Sequence, residues 1–110
     1  MRFVLFVIDG GSNTATPGEG AAIDAFNERL TAGNHLILAA GIAEPSRATL
    51  IDNRNGLGAI TAGSLFSGSE HYSGFWIIEV ESPEQAQNFA TEGSLACNRR
   101  VELRPFLGYI

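Results

Sequence analysis

Hydrophobic residues cluster in runs whose pattern predicts strands. Residues 2 to 8 (RFVLFVI) and 74 to 80 (GFWIIEV) are largely apolar without polar alternation, as is typical of strands covered on both faces. Residues 35 to 42 (HLILAAGI) predict another strand, which we expect to end at Glu44-Pro45. In RVELRPFLG, Val101 and Leu103 alternate with Glu102 and Arg104, which predicts a last strand with two unlike faces.

A first helix is predicted from about 17 to 32. Thr16 occupies a capping position, Pro17 the first helical position, and Glu19 the capping-box position three residues after the cap. Gly33 is placed to end the helix. One face carries apolar residues at helical spacing, namely Ile23, Phe26 and Leu30.

A second helix is predicted from about 83 to 92. Ser82 is the expected cap, Pro83 the first helical residue and Gln85 the capping-box partner. Gly93 is expected to follow the end of the helix. The residues expected to be buried are Ala86, Phe89 and Ala90.

An inserted hairpin is predicted from about 47 to 61. RATLI and LGAIT flank the stretch DNRNG, in which Asn55-Gly56 tolerates the positive φ angles that a tight turn requires. The element order is therefore β-α-β, hairpin, β-α-β. This order predicts an α+β fold of ferredoxin-like type, a four-stranded antiparallel sheet with both helices on one face.

The opposite face of this sheet would have no helix to cover it. Because the strands at 2 to 8 and 74 to 80 are apolar on both sides, we expect a second copy of the sheet to pack there. The sequence thus predicts a homodimer through the sheet face, a dimeric α+β barrel.

Composition limits the classes of binding partner and the cellular compartment that we expect for this protein. The 110 residues suffice for one domain, 1–110, and the formal charge of −5, with no Lys, disfavours nucleic acid. The first apolar run is too short to span a membrane and lacks a signal-peptide cleavage pattern, so we expect a cytoplasmic protein that does not bind membranes. Arg99, Arg100 and Arg104 could hold a small anion or form a solvated edge.

Neither a metal nor a cofactor is predicted. His35 and His71 lack metal-ligand spacing, and no glycine-rich phosphate-binding motif occurs. Cys97 is the lone cysteine, so we expect a reduced structural residue rather than a nucleophile.

His71 is the candidate catalytic residue. It lies in the Gly/Ser-rich stretch TAGSLFSGSEHYSGF, residues 61 to 75, between Glu70 and Tyr72, and imidazole can transfer protons near neutral pH. Glu70 and Tyr72 are candidate ligand-binding residues. On an extended chain adjacent side chains point to opposite sides, so His71 could also be a solvated loop residue or only line a pocket.

Asp9 and Arg104 are the other candidate ligand-binding residues. Asp9 ends the first strand, where it could support His71 or hydrogen-bond the backbone of residues 10 to 12. Arg104 is expected on the face turned away from the helices, where it could pair with Glu79 or bind an anion.

The hairpin SRATLIDNRNGLGAITAGSL, the stretch FSGSEHYSGFWIIEVESPEQAQNFA and the ending VELRPFL resemble YCII-related proteins with a DGPF motif. The resemblance, which covers about residues 2 to 107, implies a dimeric α+β barrel. Ala62, Gly63, Ser64 and Leu65 stand where the family has Asp-Gly-Pro-Phe, so only Gly63 is retained, and Ala22 stands where relatives carry a helix histidine. The resemblance therefore implies the fold but does not imply a catalytic His–Asp dyad.

Two functions follow as expectations. The first is a YCII-like homodimer that binds a small acidic or aromatic metabolite and could catalyse cofactor-free acid–base chemistry through His71, supported by Asp9 or Arg104. The alternative is a non-catalytic homodimeric module for protein interaction or regulation. An RNA-binding role would need exposed aromatics in a basic setting, which the charge disfavours.

Overall fold

The computed structural model describes residues 1–10 and 16–109. Within these residues the helices are α1 (Glu19–Ala32) and α2 (Pro83–Cys97). The strands are β1 (Arg2–Gly10), β2 (Leu36–Gly41), β3 (Thr49–Asp52), β4 (Ala59–Ala62), β5 (Glu70–Glu79) and β6 (Val101–Pro105). The predicted element order is confirmed, whereas several element boundaries differ from the prediction.

The main sheet of the described residues has four strands in the order β2-β5-β1-β6, and every neighbouring pair is antiparallel. Helices α1 and α2 pack against each other and over one face of this sheet. The α+β class, the four-stranded antiparallel sheet and its two helices are thus confirmed, and the arrangement is compatible with a ferredoxin-like fold.

Strand alternation separates the core from the opposite sheet face. Phe3 and Leu5 of β1 face the helices, as do Trp76 and Ile78 of β5. They meet helix residues that include Phe26, which is fully buried with its ring edge-on to Trp76. The alternate residues of β1 and β5 form the open face, where Val4 pairs with Ile77 and Phe6 with Phe75.

Helix α1 begins at Glu19 rather than at Pro17, so the predicted start is wrong by two residues. Gly18 has φ 81° and ψ −2°, and Glu19 N–H donates to the Thr16 carbonyl at 3.2 Å. This is a type II turn, with proline and glycine at its central positions. The Glu19 carboxylate still accepts a hydrogen bond from Thr16 N–H at 2.8 Å, as the capping-box spacing predicts.

Helix α2 continues to Cys97, so the predicted end near residue 92 is wrong. Gly93 is a buried interior residue, and a Cβ placed on it would lie 3.2 Å from the Phe26 ring. Asn98, with φ 52° and ψ 43°, provides the left-handed cap instead. At the other end the prediction holds, since Ser82 Oγ accepts from Gln85 N–H at 3.1 Å.

The predicted hairpin forms as β3 and β4, a small sheet separate from the main one. Asn55 and Gly56 adopt positive φ as expected. They lie within a longer connection, residues 53 to 58, so the tight two-residue turn is wrong.

Strand β5 begins at Glu70, which corrects the expectation that Glu70, His71 and Tyr72 lie in a loop. These polar residues pair with the end of β1, beyond the apolar core. The register shifts between Val7 and Ile8, because Val7 pairs with Gly74 and Ile8 with Tyr72. Ser73 is thus the extra residue of a β-bulge. No helix among the described residues is long and apolar enough to cross a membrane.

Candidate functional site

A cleft of about 700 Å³ lies at the end of the open sheet face, beside the segments that lead into and out of the β3–β4 hairpin. Four of the sequence-predicted residues line it: Glu70, His71, Tyr72 and Arg104. Its apolar lining includes Ile8, Ile42 and Phe66. Asp9 does not line this cleft and lies on the helix side of the sheet.

Tyr72 and Arg104 belong to one hydrogen-bond network with Glu102. Tyr72 Oη donates to Glu102 Oε2 at 2.6 Å and accepts from Arg104 Nη2 at 2.8 Å. Arg104 Nε also donates to Glu102 Oε2 at 2.7 Å. The Tyr72 ring stacks on Phe6, with ring centroids 4.4 Å apart and planes 13° apart. The network therefore holds the phenol in one orientation at the edge of the cleft.

The network fixes the charge states of its members. The hydrogen bond to Glu102 raises the pKa of Tyr72, and the same bond lowers the pKa of Glu102. Tyr72 is therefore a neutral phenol at neutral pH, and the Arg104 charge is balanced by the Glu102 carboxylate. The alternative pairing of Arg104 with Glu79 is wrong, because Glu79 pairs with Arg2 at 3.1 Å.

Glu70 lies at the rim of the cleft and forms an ion pair with Arg100. Arg99 instead pairs with carboxylates on the helix side of the sheet, and Arg104 pairs with Glu102. The three arginines are thus divided among three sites, each with its own carboxylate. They do not converge on one anion site, and the expected solvated edge holds for the exposed Arg100 and Arg104 but not for the largely buried Arg99.

His71 is separated from Glu70 and Tyr72 by strand alternation. It pairs with Asp9 across the β1–β5 ladder, and directly opposed residues project their side chains to the same face. His71 is half-buried. Of the two groups proposed to support it, Asp9 lies opposite His71 in the register, whereas Arg104 borders the same cleft and donates its hydrogen bonds to Glu102 and Tyr72.

Asp9 is held in place by its own neighbours. Gly10 N–H donates to Asp9 Oδ1 at 2.7 Å, and Arg99 Nε lies 3.1 Å from Asp9 Oδ2. The Gly10 hydrogen bond, the Arg99 guanidinium and His71 all lower the pKa of Asp9, against the opposing effect of burial. The expected bond to Gly10 is thus present, and those to Gly11 and Ser12 lie outside the described residues.

Arg99 completes a charge cluster that sequence reasoning missed. Its side chain is only 11% exposed, contacts both Asp9 and Glu19, and donates from Nη1 to the Cys97 carbonyl at 2.7 Å. No signal in the sequence joins these residues, because β1, α1 and the α2–β6 connection meet only in the folded chain. A second cleft of about 430 Å³ borders the cluster.

The contacts of Cys97 and His35 indicate structural roles for both residues. Burial raises the pKa of the Cys97 thiol, which disfavours the thiolate and agrees with a structural cysteine. His35 Nδ1 lies 2.8 Å from the Glu79 carbonyl oxygen, and its ring packs against Phe89. Among residues 1–10 and 16–109, His, Cys, Asp and Glu side chains form no group of three or more that could hold a metal ion.

No family model matches this chain, and no curated protein shows significant sequence similarity to it. The resemblance to the YCII-related proteins therefore stays a prediction.

Proposed function

We propose that this protein is a YCII-like homodimer that binds a small aromatic metabolite in the cleft beside Tyr72. The observation that carries the proposal is the combination of an apolar cleft with one ordered polar group, the Tyr72–Glu102–Arg104 network, at its edge. Small-molecule sites commonly have this composition, mostly apolar walls with few well-placed polar groups.

The network favours an aromatic ligand over an acidic one. A carboxylate ligand would have to compete with Glu102 for Arg104, which already donates to Glu102 from Nε. A phenol or quinone can instead place its ring against Ile8, Ile42 and Phe66. Its oxygen can accept from a remaining N–H of Arg104, and a phenol O–H can donate to Tyr72 Oη. The cleft therefore suits a flat apolar body with a neutral polar group.

The dimeric barrel is part of the same proposal. The open face carries the pairs Val4–Ile77 and Phe6–Phe75, which do not belong to the core cluster under the helices. A second copy packed on this face would remove these side chains from water and leave the cleft at the margin of the dimer. We place the protein in the cytoplasm, with neither nucleic acid nor membrane as a partner.

A reaction in this dimer would use His71 as the acid or base, without a cofactor. Asp9 lies opposite His71 in the ladder and would give the reaction electrostatic support. Arg104 would act on the ligand through the Tyr72 network rather than on His71. The non-catalytic interaction module is the second candidate, favoured by exposed apolar side chains on the hairpin such as Ile51 and Ile60.

Binding is tested by thermal shift against phenols, quinones and aromatic carboxylates. A phenol or quinone at 100 times its dissociation constant should stabilise the protein by about 2.7 kcal/mol. We expect Tyr72→Phe to weaken binding about tenfold, the effect of losing one hydrogen bond of about 1.4 kcal/mol. The control Arg54→Gln lies at the hairpin turn and should bind like the wild type.

Each outcome separates the hypotheses. Retained binding with lost turnover in His71→Ala would identify the acid–base enzyme. Equal binding by Tyr72→Phe and the wild type would contradict the proposed site. The absence of any stabilising compound, in a protein that is still dimeric, would favour the interaction module.

A further inference from the structure

The β3–β4 hairpin lacks a packing partner within the described chain. Its strands pair with each other, and no helix or other strand among the described residues makes more than isolated contacts with it. A two-stranded hairpin alone in water is marginally stable at best, because it buries too little apolar surface. Contact with a surface of another molecule would therefore stabilise the hairpin.

One face of the hairpin has the composition of an interface. Ile51 and Ile60 form a cross-strand pair and are 65% and 73% exposed. The flanking pair on the same face is Thr49 with Ala62. The opposite face carries the pairs Leu50–Thr61 and Asp52–Ala59, so its polarity is higher by the charge of Asp52. Exposed apolar pairs of this kind indicate a contact surface.

The size of the molecular surface indicates how large the missing contact is. The chain exposes 7448 Å², about 1,500 Å² more than the roughly 5,900 Å² expected for a compact monomer of 11.7 kDa. The radius of gyration, 16.0 Å, also exceeds the value of about 13 Å expected for 110 residues. A standard interface removes about 800 Å² from each partner, so the excess is sufficient for a stable dimer.

We propose that the β3–β4 hairpin is a dimerisation arm whose Ile51–Ile60 face packs on a second copy of this chain, at the margin of the contact between the two open sheet faces. The inference rests on the homodimer in the proposed function and adds the element that holds it together. In a two-fold dimer each copy supplies one arm and one sheet face, so the two sheet faces cover each other and each arm extends the same interface. The arm begins and ends at the cleft, since Ala48 and Ser64 line it. Dimerisation therefore also sets the position of one wall of the ligand site.

The test is the dimer dissociation constant, measured by analytical ultracentrifugation on the full chain. Ile60→Glu places a charge on the interface face of the arm, whereas Thr61→Glu places the same charge one residue away on the other face. We expect Ile60→Glu to raise the dissociation constant by about 30-fold or more, as for an interface hot spot, and Thr61→Glu to leave it within about threefold. Ile77→Glu, on the open sheet face, should dissociate the dimer as well.

Hydrogen exchange gives a second readout that needs no substitution. The amides of β3 and β4 should be protected in the dimer and exchange rapidly when dilution yields the monomer, while the amides of β1 and β5 stay protected. Dissociation by Ile77→Glu but not by Ile60→Glu would overturn the arm and keep the sheet interface. Equal effects of Ile60→Glu and Thr61→Glu would overturn the assigned face.

A wild type that stays monomeric at all concentrations would overturn the arm together with the dimer. If the dimer and its arm behave as expected while phenols and quinones fail to bind, the inference stands and only the ligand part of the proposed function fails.

Discussion

Arg99 connects three parts of the chain through a single side chain. It pairs with Asp9 at the end of β1 and with Glu19 at the start of α1, and it donates to the Cys97 carbonyl at the end of α2. Burial by itself would lower the pKa of Arg99, but the two carboxylates outweigh it and raise that pKa. The guanidinium is therefore charged at neutral pH.

Replacement of Arg99 tests how much this cluster stabilises the fold. Arg99→Met keeps an unbranched side chain but leaves two carboxylates facing each other, so we expect a loss of about 2 kcal/mol in the free energy of unfolding. The neighbouring Arg100 is exposed and forms one surface ion pair, so Arg100→Met should cost no more than about 0.5 kcal/mol. Urea denaturation at pH 7 compares the two variants, and equal losses would contradict the assigned role of Arg99.

The same cluster predicts a direction of pH dependence. Hydrogen bonds from Gly10 and Thr16, together with Arg99, lower the pKa of Asp9 and of Glu19 below their ordinary values of 3.8 and 4.5. Stability from a lowered carboxyl pKa is fully present above the ordinary pKa and is lost as the pH falls through the folded-state value. The penalty of Arg99→Met measured at pH 7 should therefore shrink below about pH 4, where the carboxyls begin to protonate.

At the scale of the element, Gly93 determines how closely α2 approaches the sheet. A Cβ at this position would lie 3.2 Å from the Phe26 ring and 3.5 Å from Trp76, and both rings are buried and packed edge-on to each other. Alanine favours a helix by about 1 kcal/mol over glycine, but overpacking a rigid core costs about 1–3 kcal/mol. The steric cost should exceed the helix-propensity gain.

We therefore expect Gly93→Ala to lower the free energy of unfolding by about 1 kcal/mol. The matched control is Gly20→Ala in α1, where nothing lies within 4 Å of an added Cβ. That change should raise stability by about 0.5 kcal/mol. Thermal denaturation of both variants checks the opposite signs, and a stabilised Gly93→Ala would show that Phe26 has room to move.

Gly93 also shows where sequence reasoning about the elements fails. A glycine after an apolar helical stripe predicts a helix end, and only the approach of Phe26 shows that this one serves packing. Asn98 could have indicated the true end, since asparagine tolerates the left-handed cap. The strands were predictable because continuous apolar runs indicate segments that are buried in a sheet. The start of β5 was not, because Glu70, His71 and Tyr72 pair with β1 beyond the core and carry no apolar pattern.

The candidate site was predictable residue by residue but not as an arrangement. Tyr72 and Arg104 were identified from residue type and strand position, yet their contact through Glu102 joins β5 to β6 across β1. Likewise His71 and Asp9 became neighbours only through the β1–β5 register. Such contacts depend on strand order, which the hydrophobic pattern of a single chain specifies only indirectly.

At the scale of the whole molecule, association should be visible in the thermal stability. Unfolding of a dimer releases two chains, so dilution favours the unfolded state. A tenfold dilution lowers the free energy of unfolding of the dimer by about 1.4 kcal/mol. Divided by the unfolding entropy of two chains of 110 residues, this change should lower the thermal unfolding midpoint by about 3 °C. Calorimetry over a hundredfold concentration range measures this slope.

Charge provides an independent check on the same association. Each copy carries a formal charge of −5, so two copies repel each other and added salt should strengthen the dimer by screening. The thermal unfolding midpoint should therefore start to depend on concentration at a lower protein concentration in 0.5 M than in 0.05 M sodium chloride. Ile77→Glu, which disrupts the sheet face, should unfold at a midpoint that is independent of concentration at either salt. A wild-type midpoint that stays constant over the whole range would mean that the open face and the hairpin remain uncovered in a stable monomer.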